Sequence, residues 1–198
     1  MNLPNQLTVA RFALTGLFLI AMFSRSPIND TLALVFFCAA GLTDYFDGRI
    51  ARARNLITNF GILMDPLADK ILICSAFIAL VERGPAKEWP GIRVEAWMVV
   101  IIVARGLAIT GLRLLAASKK MVLAAERYGK HKTISQITAI IALLVLEAYG
   151  EWGQWAEYLL MPWVPWFAQI ALWVTLLLTF TSGGLYLSRN RDLFIRDV

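Results

Sequence analysis

Six apolar stretches recur along the whole chain, separated by short polar segments. They cover residues 7–23, 31–42, 60–81, 96–117, 133–149 and 166–187. A helix that crosses the hydrocarbon core of a bilayer needs about 20 residues, and it satisfies its own backbone hydrogen bonds there. With 59% hydrophobic residues and a mean hydropathy of +0.64, the 198-residue chain is too apolar for a soluble domain. The sequence predicts an all-α integral membrane protein, a bundle of six transmembrane helices forming one domain over residues 1–198.

The distribution of basic residues predicts the orientation of this bundle. The connections and tail on the side of the termini carry 11 Lys and Arg residues, whereas the opposite side carries 4. Cytoplasmic loops are the ones enriched in Lys and Arg, so both termini are expected in the cytoplasm. The net charge of +5 then indicates topology and contact with anionic lipid, and not nucleic-acid binding. No basic region precedes the first stretch, which is expected to remain as a helix and not to be cleaved as a signal peptide.

Four aspartates follow the second apolar stretch or lie inside the third: Asp44 and Asp47, and Asp65 and Asp69. The second stretch has only 12 residues, so its helix can cross a bilayer only by continuing through Asp44 and Asp47 towards Arg52. A carboxylate at the bilayer centre costs roughly 2.5–3.5 kcal/mol even on the mildest scale. Carboxylates that converge inside a membrane therefore need cations that offset their negative charge. The alternative, a solvated loop, is disfavoured because apolar residues interleave with the acidic ones.

Helical spacing places the aspartates on two faces. Residues three and four apart share a face, which groups Asp44 and Asp47 with small residues on one helix and Asp65 and Asp69 on another. Oxygen ligands without His or Cys favour a hard cation, Mg²⁺ or Mn²⁺. Two ions between two helices would suit phosphoryl chemistry, because they neutralise charge on the attacking and leaving oxygens.

The full spacing, D-x2-D-G-x2-A-R-x8-G-x3-D-x3-D, resembles the signature of the CDP-alcohol phosphotransferases, membrane enzymes with six helices. The resemblance implies that Asp44, Asp47 and Asp65 hold two metal ions with help from Asp69, and that Asp69 is the base. It also implies a cytidine-nucleotide site that comprises Gly48, Ala51, Arg52, Gly61, Asn5 and Thr8. The alternatives are capping of the first helix for Asn5 and Thr8, and a topological role for Arg52.

Basic residues outside the signature suggest a site for a phosphorylated acceptor. They are Arg105 and Arg113 in the fourth stretch, and Lys130, Lys132 and Thr133 at the start of the fifth. Intramembrane arginines need a partner, and a helix N-terminus with lysines and a hydroxyl suits an anion. The alternatives are a solvated loop for the lysines and pairing with the aspartates for the arginines. Gly106 departs from the family, where an acidic residue is expected, and His131 is interpreted as incidental.

Residues 2–11, 101–113 and 129–136 resemble those family members whose acceptor is glycerol 3-phosphate. The resemblance implies transfer of a phosphatidyl group from CDP-diacylglycerol to glycerol 3-phosphate, in a homodimer in the bacterial cytoplasmic (inner) membrane, with the active site towards the cytoplasm. The partners expected are these substrates and membrane lipids. Alternatives are inositol phosphate or phosphatidylglycerol as the acceptor, and, from another class, a cation or proton transporter.

Overall fold

The computed structural model describes residues 3–24, 26, 28–53, 59–86, 89, 91–118 and 128–189. Within these ranges the chain is helical, and the only β-pairing is an isolated bridge between Ala86 and Trp89. Seven α-helices follow one another, with a 3₁₀ turn at Tyr149–Trp152 before α6. They are α1 Leu3–Phe23, α2 Asn29–Ala53, α3 Asn59–Arg83, α4 Ala96–Ser118, α5 Tyr128–Ala148, α6 Gln154–Leu160 and α7 Val164–Arg189.

The six long helices coincide with the six predicted stretches. The first stretch is the helix α1, and α2 continues through Asp44 to Ala53, as the short second stretch required. By length and composition, three described segments could cross a membrane, namely Asn5–Phe23, Lys132–Trp152 and Val164–Tyr186, and Ala96–Leu112 is a shorter apolar helix. The acidic residues of α2 and α3 lower the hydropathy of those helices. Six crossings and cytoplasmic termini therefore remain predictions.

The long helices form a closed cycle in which each one packs against two neighbours. The order around the cycle is α1, α3, α4, α7, α5 and α2, and the closest pairs are α1 with α2 and α5 with α7. Additional contacts of α3 with α5 and with α2 cross the cycle. The acidic helices α2 and α3 are thus both in contact with α1 and α5, so these two helices can supply partners for the aspartates.

Large and small apolar side chains alternate in the core. Phe18 and Phe37 lie with their ring centroids 5.8 Å apart, and Phe77 is fully buried. Alanines such as Ala40 and Ala76 are also fully buried, which allows the helix backbones to approach closely. On the outside, large apolar side chains are exposed, Phe180 by 70%. Such exposure suits a surface that faces lipid.

A polar network joins four segments at the end of the bundle where α1 ends and α2 begins. The Glu151 carboxylate accepts hydrogen bonds from the backbone N–H groups of Asp30 (3.0 Å) and Thr31 (2.9 Å), and from the Thr31 hydroxyl (2.5 Å). Arg83 of α3 pairs with the Asp30 carboxylate and donates to the Met22 carbonyl of α1 at 2.9 Å. Glu151 thereby caps α2.

Candidate active site

One face of α1 carries polar residues into the bundle. Asn5, Thr8 and Arg11 are spaced three residues apart, and Thr8 and Arg11 are only 1% and 0% exposed. The Thr15 hydroxyl, further along α1, donates to the Arg11 carbonyl at 2.8 Å. Because α1 begins at Leu3, Asn5 and Thr8 lie inside the helix, so the alternative that they cap it is wrong. A buried polar face requires partners on the neighbouring helices.

Those partners are two of the predicted metal ligands. The Thr8 hydroxyl donates to Oδ1 of Asp65 on α3 at 2.6 Å. The guanidinium of Arg11 pairs with Asp44 of α2, with 2.8 Å between Nη1 and Oδ1. α1 therefore orients one carboxylate on each acidic helix. The donor to Asp65 is the neutral hydroxyl of Thr8, and the donor to Asp44 is the charged guanidinium of Arg11.

Asp69, the predicted base, lies between this acidic cluster and a group of cations. It is within electrostatic range of Asp44 and Arg11 on one side, and of Lys70 and Lys132 on the other. Lys132 is 9% exposed and is within range of Arg105 and Lys70 as well as Asp69. Among the described side chains of this cluster, positive charge exceeds negative charge. Such a group favours an anionic ligand.

A cavity of about 150 Å³ opens beside Asp69, between α3, α4 and α5. Its polar wall consists of Asp69, Lys70, Lys132, Thr133 and Gln136. Its apolar wall includes Ile73, Ile102 and Val103, and Gly106 also contributes to its lining. A carboxylate, two lysines and a hydroxyl thus face one small space. This space can hold a small anion next to a proton acceptor.

Arg105 is held from α7. Its Nη2 donates to the Ser182 hydroxyl at 3.0 Å. Its side chain also crosses the backbone of Gly183 so closely that a Cβ at Gly183 would lie 2.8 Å from Arg105 Cγ. On the other side of the bundle, it is Arg11 of α1 that forms an ion pair with Asp44.

Gly106 and Thr110 of α4 lie next to Lys70, which lines the cavity from α3. The Thr110 hydroxyl donates to the Gly106 carbonyl at 2.9 Å and accepts a hydrogen bond from the Lys70 ammonium. Gly106, where an acidic residue was expected, leaves open space in front of its Cα. A hydroxyl on α4 therefore helps to orient Lys70.

Eight predicted site residues have described side chains, and the structure brings them into two connected groups. The first group comprises Asn5 and Thr8 on α1, together with Asp44 and Asp65, which α1 contacts. The second group lies in or near the cavity and comprises Asp69, Lys132, Thr133 and Arg105. The side chains of the other predicted residues lie outside the described part of the structure, although their backbones belong to α2–α5. These are Asp47, Gly48, Ala51, Arg52, Gly61, Arg113 and Lys130, and the same holds for His131.

Three residues of the site were not predicted from the sequence: Arg11, Lys70 and Gln136. Arg11 and Lys70 are charged residues inside apolar stretches, which is in itself a signal of function. Arg11 also continues the spacing of Asn5 and Thr8 on one helical face. Gln136 lies four residues after Lys132 and so shares its face of α5. Helical spacing could have indicated all but Lys70, whose partner Thr110 lies on another helix.

The donor set fits divalent cations. No group of three or more His, Cys, Asp or Glu side chains that could hold a metal ion occurs in the described part of the chain, where Asp47 contributes only its backbone. Asp44 and Asp65 each use Oδ1 in their contacts with α1. Carboxylate oxygens of this kind are the ligands that hard cations prefer.

Comparison with known proteins shows the family of the chain. Residues 1–181 match the sequence pattern of a family described as CDP-alcohol phosphatidyltransferase. The chain belongs to the CDP-alcohol phosphatidyltransferase family. It is therefore an enzyme, and together with its three apolar helices this membership indicates an integral membrane protein. The family resemblance predicted from the aspartate spacing is confirmed.

Several relatives of this phosphatidyltransferase carry the same name. A CDP-diacylglycerol--glycerol-3-phosphate 3-phosphatidyltransferase of Bacillus subtilis (strain 168) is 39% identical over 96% of this chain and 95% of its own length. Proteins of the same name from Rickettsia bellii (strain RML369-C) and Escherichia coli (strain K12) are 36% and 31% identical, each over 70% of this chain, and over 72% and 74% of their own lengths.

Proposed function

We propose that this phosphatidyltransferase transfers the phosphatidyl group of CDP-diacylglycerol to glycerol 3-phosphate, which yields phosphatidylglycerophosphate and CMP. The observation that carries the proposal is the shared cavity of Asp69 and Lys132, in which a proton acceptor and a cation face the same small space. The Bacillus subtilis relative, named for this reaction, is similar over nearly its whole length and supports the proposal.

The charge around the cavity matches a phosphorylated acceptor. Lys70, Lys132 and Thr133 line it, and Arg105 lies within electrostatic range of Lys132. A phosphate dianion would be stabilised by several cations in a site shielded from water. An alcohol without a phosphate would leave the positive charge of these side chains without a negative partner on the acceptor. Arg113 and Lys130 are proposed as further phosphate contacts on the cytoplasmic side.

The size of the cavity favours a small acceptor. Its volume is about 150 Å³. A three-carbon phosphate is closer to this volume than the ring of inositol phosphate is. The two acyl chains of phosphatidylglycerol would have to remain outside it. A small phosphorylated acceptor such as glycerol 3-phosphate fits the scale and charge of this cavity.

Asp69 is proposed as the general base. Its carboxylate would take the proton from the primary hydroxyl of the acceptor as the oxygen attacks the phosphorus that bears the diacylglycerol. A new phosphorus–oxygen bond forms to the acceptor, and the bond to the bridging oxygen of the pyrophosphate breaks. CMP leaves with that oxygen. The cations around the cavity hold the acceptor so that its free hydroxyl, and not its phosphate, approaches Asp69.

Two divalent cations, Mg²⁺ or Mn²⁺, are proposed to be held by Asp44, Asp47, Asp65 and Asp69. When bound, they would supply positive charge that stabilises the pyrophosphate oxygens and the departing CMP. Thr8 and Arg11 orient Asp65 and Asp44 for this role by direct contacts at 2.6 and 2.8 Å. Partners of this kind typically fix the direction of a ligand and tune its charge.

The donor is proposed to bind on the other side of the aspartates. Gly48, Ala51, Arg52 and Gly61 would accommodate the cytidine nucleotide, with Asn5 nearby. Thr8, predicted as a nucleotide contact, is better placed as a positioning residue because its hydroxyl is used by Asp65. The enzyme is proposed to act as a homodimer in the bacterial cytoplasmic membrane. Its termini and active site would face the cytoplasm, where the acceptor is dissolved.

An acceptor panel tests the proposal. The protein is purified in detergent with Mg²⁺ and CDP-diacylglycerol, and CMP release is measured with glycerol 3-phosphate, inositol phosphate, phosphatidylglycerol and serine. We expect glycerol 3-phosphate to give the highest kcat/KM. Preference for another acceptor would contradict the proposed function. Cation flux into liposomes without nucleotide, accompanied by no CMP release, would favour the transporter.

The base assignment has its own test. Asp69→Asn keeps the size of the side chain but removes its proton-accepting charge, so we expect at least a ~10³-fold loss of kcat. Glu157→Gln is a matched control, because Glu157 lies on α6 and is exposed. Unchanged activity of Asp69→Asn would refute the role of base.

A further inference from the structure

Gln136 is a buried polar residue whose side-chain amide is not fully hydrogen-bonded within the described part of the chain. It is 2% exposed, and its amide Nε2 has no hydrogen-bond partner within the described part of the chain. A buried amide without a partner loses its hydration and gains nothing in return. Such a residue at an active site indicates that a ligand supplies the missing bond.

The position of Gln136 shows where that ligand would bind. Its side chain lines the same cavity as Asp69 and Lys132, one helical turn along α5 from Lys132. The surrounding wall is apolar at Ile73 and Ile102, and Gln136 adds an uncharged hydrogen-bonding group to it. The phosphate and the reacting hydroxyl of the proposed acceptor are already assigned to the cations and to Asp69. One polar group of glycerol 3-phosphate, the central hydroxyl, remains.

We infer that Gln136 binds the central hydroxyl of glycerol 3-phosphate and makes the enzyme selective for acceptors that carry it. The inference rests on the proposed function. An amide both donates and accepts hydrogen bonds, as a hydroxyl does, so the two groups are complementary. An acceptor that lacks this hydroxyl leaves the amide buried and unsatisfied, and sites of this type reject such analogues strongly.

Two acceptors that differ only in the central hydroxyl test the inference. Glycerol 3-phosphate is compared with 3-hydroxypropyl phosphate, which keeps the primary hydroxyl and the phosphate. For the wild-type enzyme we expect kcat/KM to be higher for glycerol 3-phosphate by about 10-fold or more. In Gln136→Leu, which removes both hydrogen-bonding atoms, we expect the ratio to fall to within about 2-fold of unity.

A ratio measured in one preparation does not depend on the fraction of folded enzyme, so partial misfolding of Gln136→Leu does not affect it. If Gln136→Leu does not fold at all, Gln136→Met, which keeps the length of the side chain, replaces it. Gln169→Leu is the matched control. Gln169 lies on α7, its Oε1 is buried without a partner among the described residues, and it does not line the cavity. This variant should retain the wild-type ratio.

The outcomes separate this inference from the proposed function. If the wild-type enzyme uses glycerol 3-phosphate and Gln136→Leu retains the full discrimination, the role of Gln136 is refuted while the proposed reaction stands. Equal use of both acceptors by the wild-type enzyme also refutes it. If the wild-type enzyme does not use glycerol 3-phosphate, the proposed function fails, and with it the inference.

Discussion

Arg11 and Asp44 form an ion pair across α1 and α2, in which the arginine side chain is fully buried and the aspartate side chain is 50% exposed. The pair thus has one end inside the bundle and one end that is accessible from outside. Arg11 can hold the Asp44 carboxylate in place without covering it. The contact therefore links the folding of α1 to the chemistry of the acidic cluster.

Loss of Arg11 should impair catalysis although Arg11 is not a proposed ligand. In Arg11→Met the length of the side chain is kept but Asp44 loses its buried cation. We expect kcat to fall by about 10- to 100-fold, the range seen when residues that orient metal ligands are removed. Asp44→Asn should be at least as severe. The double variant Arg11→Met/Asp44→Asn should be little worse than Asp44→Asn alone, and additive losses of kcat would contradict the coupling of the two residues.

Removal of the Thr8 hydroxyl should weaken the Asp65 site. Thr8→Val keeps the shape of the side chain and deletes a donor to a carboxylate, a contact worth about 1.5–3 kcal/mol. We expect the Mg²⁺ concentration for half-maximal activity to rise by about 10-fold, and Thr8→Ser to restore it. Thr15→Val is the control, since the Thr15 hydroxyl contacts a carbonyl of its own helix. Equal Mg²⁺ dependence of Thr8→Val and the wild-type enzyme would count against the assignment.

Chelation should abolish the reaction reversibly. The oxygen ligands of Asp44, Asp65 and Asp69 favour hard cations, so we expect no CMP release in EDTA, and recovery with Mg²⁺ or Mn²⁺. Ca²⁺, which is larger and tolerates irregular coordination, should support less activity at the same concentration. Full activity in EDTA after dialysis would disprove a metal-dependent mechanism.

A methyl group at Gly183 should displace Arg105. In Gly183→Ala the new Cβ would lie 2.8 Å from Arg105 Cγ, so the arginine or helix α7 must shift. We expect KM for glycerol 3-phosphate to rise by about 10-fold or more, because a phosphate contact to Arg is charge-assisted and depends on geometry. Gly184→Ala is a matched control one residue away, with nothing within 4 Å of its Cβ. If both variants give the same KM, Gly183 does not position Arg105.

Glu151 should affect stability and not catalysis. In Glu151→Ala the first turn of α2 loses the acceptor for the N–H groups of Asp30 and Thr31, and a lost cap costs about 0.5–2 kcal/mol. We therefore expect a lower Tm in detergent with kcat/KM unchanged. The exposed Glu157 on α6 provides the control variant Glu157→Ala, whose Tm should stay at the wild-type value. A large loss of kcat/KM in Glu151→Ala would show that this network reaches the active site.

Much of the fold was predictable because apolar composition and helical periodicity are local properties. The six stretches correspond to six long helices, and the continuation of α2 through Asp44 was required by the shortness of the second stretch. The carboxylates of the site were predictable from local sequence too. A charged side chain inside an apolar helix costs free energy, so its presence there indicates a function. Lys132 and Thr133 were predicted from the charge at the start of α5.

The sequence by itself determined the family, because the spacing of Asp44, Asp47, Asp65 and Asp69 along α2 and α3 can be recognised without knowing how the helices pack. Only the tertiary structure decided which residues meet across helices. The pairing of Arg11 with Asp44, of Thr8 with Asp65 and of Arg105 with Ser182 depends on how α1 and α7 pack against their neighbours. The cavity that joins Asp69 to Gln136 likewise exists only where three helices converge. Helix packing is set by the sum of many weak contacts, which no single stretch of sequence contains.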